Sequence, residues 1–188
     1  MQLTETKRLT LFIVNQLQKW AAIAALAVAA GTGLCGPSHA QKKGTQAKSK
    51  ANPQLVKKTL TITCKVTLKS GTTTGVILAQ GGDQRGYALY LKDSKPNFVV
   101  RQKGKIYIAK GSKVAKGAFS MEAHLKKDGA MTLAVNGVSV ASGKAPGLFA
   151  LQPKDGLSVG EDSMSPVGDY KAPNALKGKV ENVKITPQ

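Results

Sequence analysis

From Thr59 to Leu68 polar and apolar residues alternate without a break. Leu60, Ile62, Cys64, Val66 and Leu68 fall on one side, and Thr59, Thr61, Thr63, Lys65 and Thr67 on the other. Successive side chains of a strand point to opposite faces, so this pattern predicts a β-strand with one face in a core and the other in water. A helix would scatter the same apolar residues around its circumference. Cys64 lies on the apolar side and reads as a small core residue, not as a reactive thiol.

Shorter strands are predicted at close spacing: Val76–Gln80, Tyr87–Lys92, Asn97–Gln102, Lys105–Ala109, Phe119–Lys126, Met131–Val135 and Val138–Ala141, with Leu157–Val159 and Lys179–Ile185 closing the fold. Asp128-Gly129 and Asn136-Gly137 accept positive φ, and Asn136-Gly137 joins its flanking strands as a tight hairpin. Beyond the N-terminal segment no window shows helical periodicity. The expected fold is all-β, an antiparallel sandwich or jelly roll.

Residues 1–40 have a different character. Lys7, Arg8 and Lys19 are followed by the apolar, alanine-rich run Trp20 to Leu34, and Ser38-His39-Ala40 places small residues before a cleavage point after Ala40. This is the layout of an export signal peptide. The apolar run is about 15 residues, short of the roughly 20 a spanning helix needs. No membrane span is expected after cleavage, and the expected location is secreted, periplasmic or on the cell envelope. Gln41 to Lys58 has six lysines and no acid, the composition of a disordered linker. The folded domain is therefore expected over 59–188.

With the signal removed, Cys64 is the one cysteine left, which rules out an internal disulfide and leaves stability to packing. The whole chain is +18, and from Thr59 onward 19 basic residues face 9 acidic ones. Such a surplus attracts polyanions in general, whether acidic polysaccharide, envelope or nucleic acid, without choosing among them.

Two groups of motifs carry a family likeness. The first is Gly75-Val76-Ile77-Leu78-Ala79-Gln80-Gly81-Gly82 followed by Gly86-Tyr87-Ala88-Leu89-Tyr90-Leu91-Lys92. The second runs in order through Leu133 with Val135-Asn136-Gly137, Val159-Gly160-Glu161-Asp162-Ser163, Ser165-Pro166-Val167, Asp169-Tyr170 and Gly178-Lys179-Val180-Glu181-Asn182-Val183. From Thr59 to Thr186 the chain resembles the C-terminal β-sandwich of large bacterial arylsulfatases. The resemblance implies a concanavalin-like, laminin-G-like jelly roll. It does not imply sulfatase activity, because it covers the tail of that family and not its catalytic domain. Cys35-Gly36-Pro37-Ser38-His39 begins like the formylglycine motif but ends in His39 where arginine is required, inside the expected signal.

Other chemistry is sparse. His124 should face outward with Glu122 and Lys126, no Ser or Cys has a nucleophile context, and one His with one Cys does not make a zinc site. No catalytic residue and no enzyme activity are expected. Glu161, Asp162 and Asp169 lie within nine residues of one another and form a candidate calcium site; the alternative is that Asp162 and Asp169 accept hydrogen bonds within the loop. Three carboxylates are few for a shell of about six to eight oxygens, and no other cofactor is indicated.

A binding face is the better prospect. If Leu89 and Leu91 point inward, alternation sends Tyr90 and Lys92 to the opposite face. The same logic turns Arg101 and Lys103 away from Phe98 and Val100, and Lys105 and Tyr107 away from Ile106 and Ile108. Aromatic rings stack on sugars, while Lys and Arg hold sulfate or carboxylate. The expected partner is a carbohydrate, acidic or sulfated, or another polyanion. The alternative is a structural domain docking on a separate sulfatase-like protein or on the envelope. Export and the absence of a nucleic-acid-binding fold disfavour nucleic acid.

Overall fold

The computed structural model describes residues 52–112 and 117–188. The export signal expected over 1–40 and the linker residues 41–51 lie outside them. Ten strands are present among the described residues: β1 (Leu60–Leu68), β2 (Gly75–Gly81), β3 (Arg85–Lys92), β4 (Lys95–Gln102), β5 (Lys105–Lys110), β6 (Ala118–Leu125), β7 (Ala130–Val135), β8 (Val138–Lys144), β9 (Leu157–Val159) and β10 (Gly178–Pro187). Each matches a strand expected from the sequence to within a few residues. Among the described residues there is no helix.

The strands form two five-stranded sheets, ordered β10-β1-β6-β7-β8 and β5-β4-β3-β2-β9, and every pair of neighbours is antiparallel. Turn chemistry sets the register. Asp93-Ser94, Lys103-Gly104 and Asn136-Gly137 all have positive φ at both positions, the type I′ geometry whose twist suits a two-residue hairpin. They fix Lys92 opposite Lys95, Gln102 opposite Lys105 and Val135 opposite Val138.

The main core lies between the sheets. Ile62, Cys64, Val66, Met121, Ala123 and Leu133 meet Ile77, Leu78, Tyr87, Leu89, Phe98 and Val100 there, with Phe149 from the loop before β9. A bulge in β2 puts Val76 opposite Tyr90 and Leu78 opposite Leu89, so both Ile77 and Leu78 join this core. The extra residue is what a bulge inserts.

The linker expected over 41–58 ends earlier than its composition indicates. Leu55 is fully buried in the main core, its N–H donates to Gln152 Oε1 at 2.9 Å, and Lys57 N–H donates to the Phe149 carbonyl at 2.8 Å. One apolar residue among lysines is enough to dock the segment, because the core offers it a site out of water.

The two sheets differ in how they meet solvent. In β1 burial alternates, as a half-buried strand requires. In β2 every residue is buried, and β3 and β4 are buried through their centres. A second apolar cluster, Val76, Ala79, Ala88, Tyr90, Val99 and Val167, explains this: it lies on the face of the second sheet away from the main core. The cover is a strap, residues 160–177, between β9 and β10.

Candidate functional site

The strap is tied to the outer face of the second sheet along its length. Gly160 N–H donates to the Ile77 carbonyl, Val76 N–H to the Asn174 carbonyl, and Leu176 N–H to the Gly160 carbonyl, each at 2.8 to 2.9 Å. Ser165 Oγ accepts from Asp83 N–H at 3.1 Å, and Arg101 Nη1 donates to the Asp83 and Pro166 carbonyls at 3.1 and 3.3 Å. At the centre, the Tyr90 and Tyr170 rings pack with centroids 5.0 Å apart and planes tilted by 59°.

Both tyrosines donate to strap carboxylates. Tyr170 Oη–H reaches Asp162 Oδ2 at 2.6 Å, and the same oxygen accepts Val167 N–H at 3.4 Å. Tyr90 Oη–H bonds Asp169 Oδ1, while Lys92 Nζ donates to Asp169 Oδ2 at 2.7 Å and to its carbonyl at 3.2 Å. Burial first, and the neighbouring carboxylate second, push both phenols far above their ordinary range, so both remain protonated donors. Burial alone would raise Asp169, yet Lys92 and Tyr90 hold its carboxyl below the ordinary carboxylate value.

These contacts redraw the expected sites. Tyr90 does lie on the face opposite Leu89 and Leu91, but the strap covers it and leaves it 1% exposed; it is a packing residue and not a stacking platform. Tyr107 turns the other way from the sequence reading. It pairs with Val100 across the two-residue turn and packs on the main core, while Ile106 and Ile108 pack on the outer cluster. Lys103 sits in the turn itself at φ 52°, Lys105 is exposed at the start of β5, and Arg101 donates to one carbonyl of the β2–β3 turn and one of the strap. Of the six expected face residues, Lys92 alone is both outward and solvent-exposed.

The carboxylates expected to share a calcium do not converge. Asp162 is buried with Tyr170, Asp169 engages Tyr90 and Lys92, and Glu161 is exposed. Among the described residues no group of three or more His, Cys, Asp or Glu is placed to hold a metal ion. The alternative, hydrogen bonding within the loop, describes Asp162, whereas Asp169 takes its donors, Tyr90 and Lys92, from β3.

Sequence reasoning missed a cup beside the strap. It has a volume of about 260 Å³ and is lined by Lys92, Asp93, Lys95, Asn97, Lys110, Gly111 and Asp169. Register builds it: Lys92 opposes Lys95 and Asn97 opposes Lys110, so two hairpins bring three lysines to one end of the sheet. The signal was present in the sequence, since a two-residue turn at Asp93-Ser94 and another at Lys103-Gly104 dictate both pairings. On the first sheet, Thr61 Oγ1 lies 3.1 Å from His124 Nδ1, and His124 Nε2 lies 2.9 Å from Glu122 Oε1. This hydroxyl–imidazole–carboxylate chain sits on two interior strands, whose backbone N–H groups belong to ladders on both sides. That leaves no paired amides for an oxyanion.

Solved structures of the same architecture include mouse laminin α1 chain domains LG4-5, at 21% identity and a TM-score of 0.59 over 76% of this chain and 40% of that one. The LG1-3 region of the laminin α2 chain matches at 12% identity and 0.59, covering 73% and 30%. The Ruminococcus gnavus IT-sialidase CBM40, also solved bound to α2,3-sialyllactose, matches at 14% identity and 0.50; in the first of these structures 69% of this chain and 76% of that one are covered. The chain thus spans well under half of each laminin fragment. No curated protein matches it in sequence. Residues 42–188 match the family model described as the concanavalin A-like lectin/glucanases superfamily, laminin-G type, and the chain belongs to that family.

Proposed function

We propose that this protein is an exported, non-catalytic sandwich that binds carbohydrate, and that its ligands are acidic or sulfated glycans. The observation that carries the reading is the lysine cluster of Lys92, Lys95 and Lys110, which the strand register concentrates beside the strap. The family fold is in keeping with it, and one solved relative of that fold holds α2,3-sialyllactose. Non-catalytic function accords with the side chains: Asp162 and Asp169 are engaged in holding the strap, and the strands that carry the His124 chain offer it no paired free amides.

The proposed kinship with arylsulfatase C-terminal sandwiches rests on the sequence motifs, which fall on β2, β3, the β7–β8 hairpin, the end of β9, the strap and β10. Binding of a sulfated polysaccharide, a neutral polysaccharide and duplex DNA by the purified protein, followed as salt is raised to about 0.15 M, tests the proposal. Retention of the sulfated polymer over both others is expected. No retention of any acidic polysaccharide, or equal retention of DNA, would sink it.

A further inference from the structure

We infer that the cup at the end of β3, β4 and β5 receives a single acidic sugar residue: one ring bearing one carboxylate or sulfate ester together with free hydroxyls. This rests on the carbohydrate-binding reading above and gives it a place and a chemical class. The cup mixes charges in a way a plain anion site would not. Lys95 and Lys110 have no acidic partner among the described residues, so two ammonium groups stand free to hold an anionic group. Lys92 is neutralised by Asp169 at 2.7 Å, and Asp93 adds a second carboxylate from the turn.

The floor is Asn97, 5% exposed. Its Nδ2 donates to the Lys95 carbonyl at 2.9 Å, which leaves its carbonyl oxygen as an acceptor. Asp93, Asp169 and Asn97 therefore offer acceptors for ring hydroxyls, and the lysines offer donors for the acid group. A bare sulfate, a phosphate or a nucleic-acid backbone could use the lysines only, would leave the carboxylate and amide acceptors without donors, and would be repelled by Asp93, since Asp169 is already paired with Lys92. At about 260 Å³ the space is below the roughly 300–1,000 Å³ of drug-sized sites, room for one ring and not a buried chain.

The test is titration of the ¹⁵N-labelled full chain with glucuronic acid, glucose 6-sulfate, glucose, inorganic sulfate and a short oligonucleotide, read from the Asn97 side-chain amide and the Gly111 N–H. Both acidic sugars are expected to shift these signals, with glucose weaker by about tenfold. The double variant K95A/K110A should weaken both acidic sugars by about tenfold. Asp93→Asn, which keeps a residue tolerant of positive φ, should weaken them by about threefold, because it trades a charged hydroxyl acceptor for a neutral one.

Asp93→Asn binding that is unchanged or tighter would overturn the inference, since simple charge attraction predicts that sign. So would inorganic sulfate or the oligonucleotide matching the acidic sugars at these signals. If K95A/K110A retains sulfated polysaccharide as well as the wild-type protein, the cup is wrong while the glycan reading stands. Failure of every acidic glycan removes both.

Discussion

Asp162 is a buried carboxylate with two donors, Tyr170 Oη–H and Val167 N–H. Removing one donor leaves a charge in a poorly solvated place with half its hydrogen bonding, a loss of about 1–3 kcal/mol. Tyr170→Phe is therefore expected to lower stability by that amount in urea denaturation, although it keeps the ring against Tyr90; no change in midpoint would show that the Asp162 contact does not hold the strap. Asp169 adds a pH dependence. Its folded-state carboxyl lies below the ordinary 3.8, so its stabilisation is complete above that value and is lost as pH falls through the folded value. Thermal unfolding of Asp169→Asn should show a shallower loss of Tm than the wild type below about pH 4. Parallel curves would refute the assignment. Cys64 tests the core from another side. Burial pushes its thiol up to about 12, so at pH 8 the Cys64 peptide should escape alkylation in the folded protein and react once urea is added.

At the scale of elements, the strands were legible and the cover over them was not. Alternation in β1 and the turn dipeptides marked strand positions because both signals are local. The strap was missed because its residues show neither period. Its clue lay in the strands beneath: Val76-Ile77-Leu78-Ala79 and Phe98-Val99-Val100 are continuously apolar, the mark of a sheet buried on both faces. Tyr107 was turned outward for a related reason. Its own strand fits either phase, and the phase is set by pairing Val100 with Tyr107 across Lys103-Gly104. Gly86, Tyr90, Asp162, Asp169 and Tyr170 lie where strap and sheet meet. Gly86 shows how tight that interface is. A Cβ there would lie 2.3 Å from the Gln80 carbonyl and 3.1 Å from Val167 Cγ2. Gly86→Ala should cost about 1–3 kcal/mol and increase hydrogen exchange at Val167 and Leu176. Wild-type stability and exchange would mean that both the β2 backbone and the strap give way to the added methyl at little cost.

For the whole molecule the governing fact is charge. From Thr59 onward 19 basic residues face 9 acidic ones, and the Lys–carboxylate ion pairs among the described residues are exposed or partly exposed: Lys92–Asp169, Lys144–Asp128 and Lys179–Glu181. Exposed pairs contribute little, whereas like-charge repulsion grows with net charge and is screened over a Debye length of about 10 Å at 0.1 M salt. Raising NaCl from about 20 to 200 mM should therefore raise Tm, the opposite of what a fold held by surface ion pairs would do. A bound polyanion should do more than screen. A ligand present at about 100 times its Kd adds about 2.7 kcal/mol, several degrees in a domain of this size. A sulfated polysaccharide is thus expected to raise Tm by about 5 °C or more beyond NaCl at the same ionic strength, and K95A/K110A should lose most of that excess. If polymer and salt at matched ionic strength give the same Tm, the basic surface is a solvated exterior and the sandwich has no acidic glycan to hold.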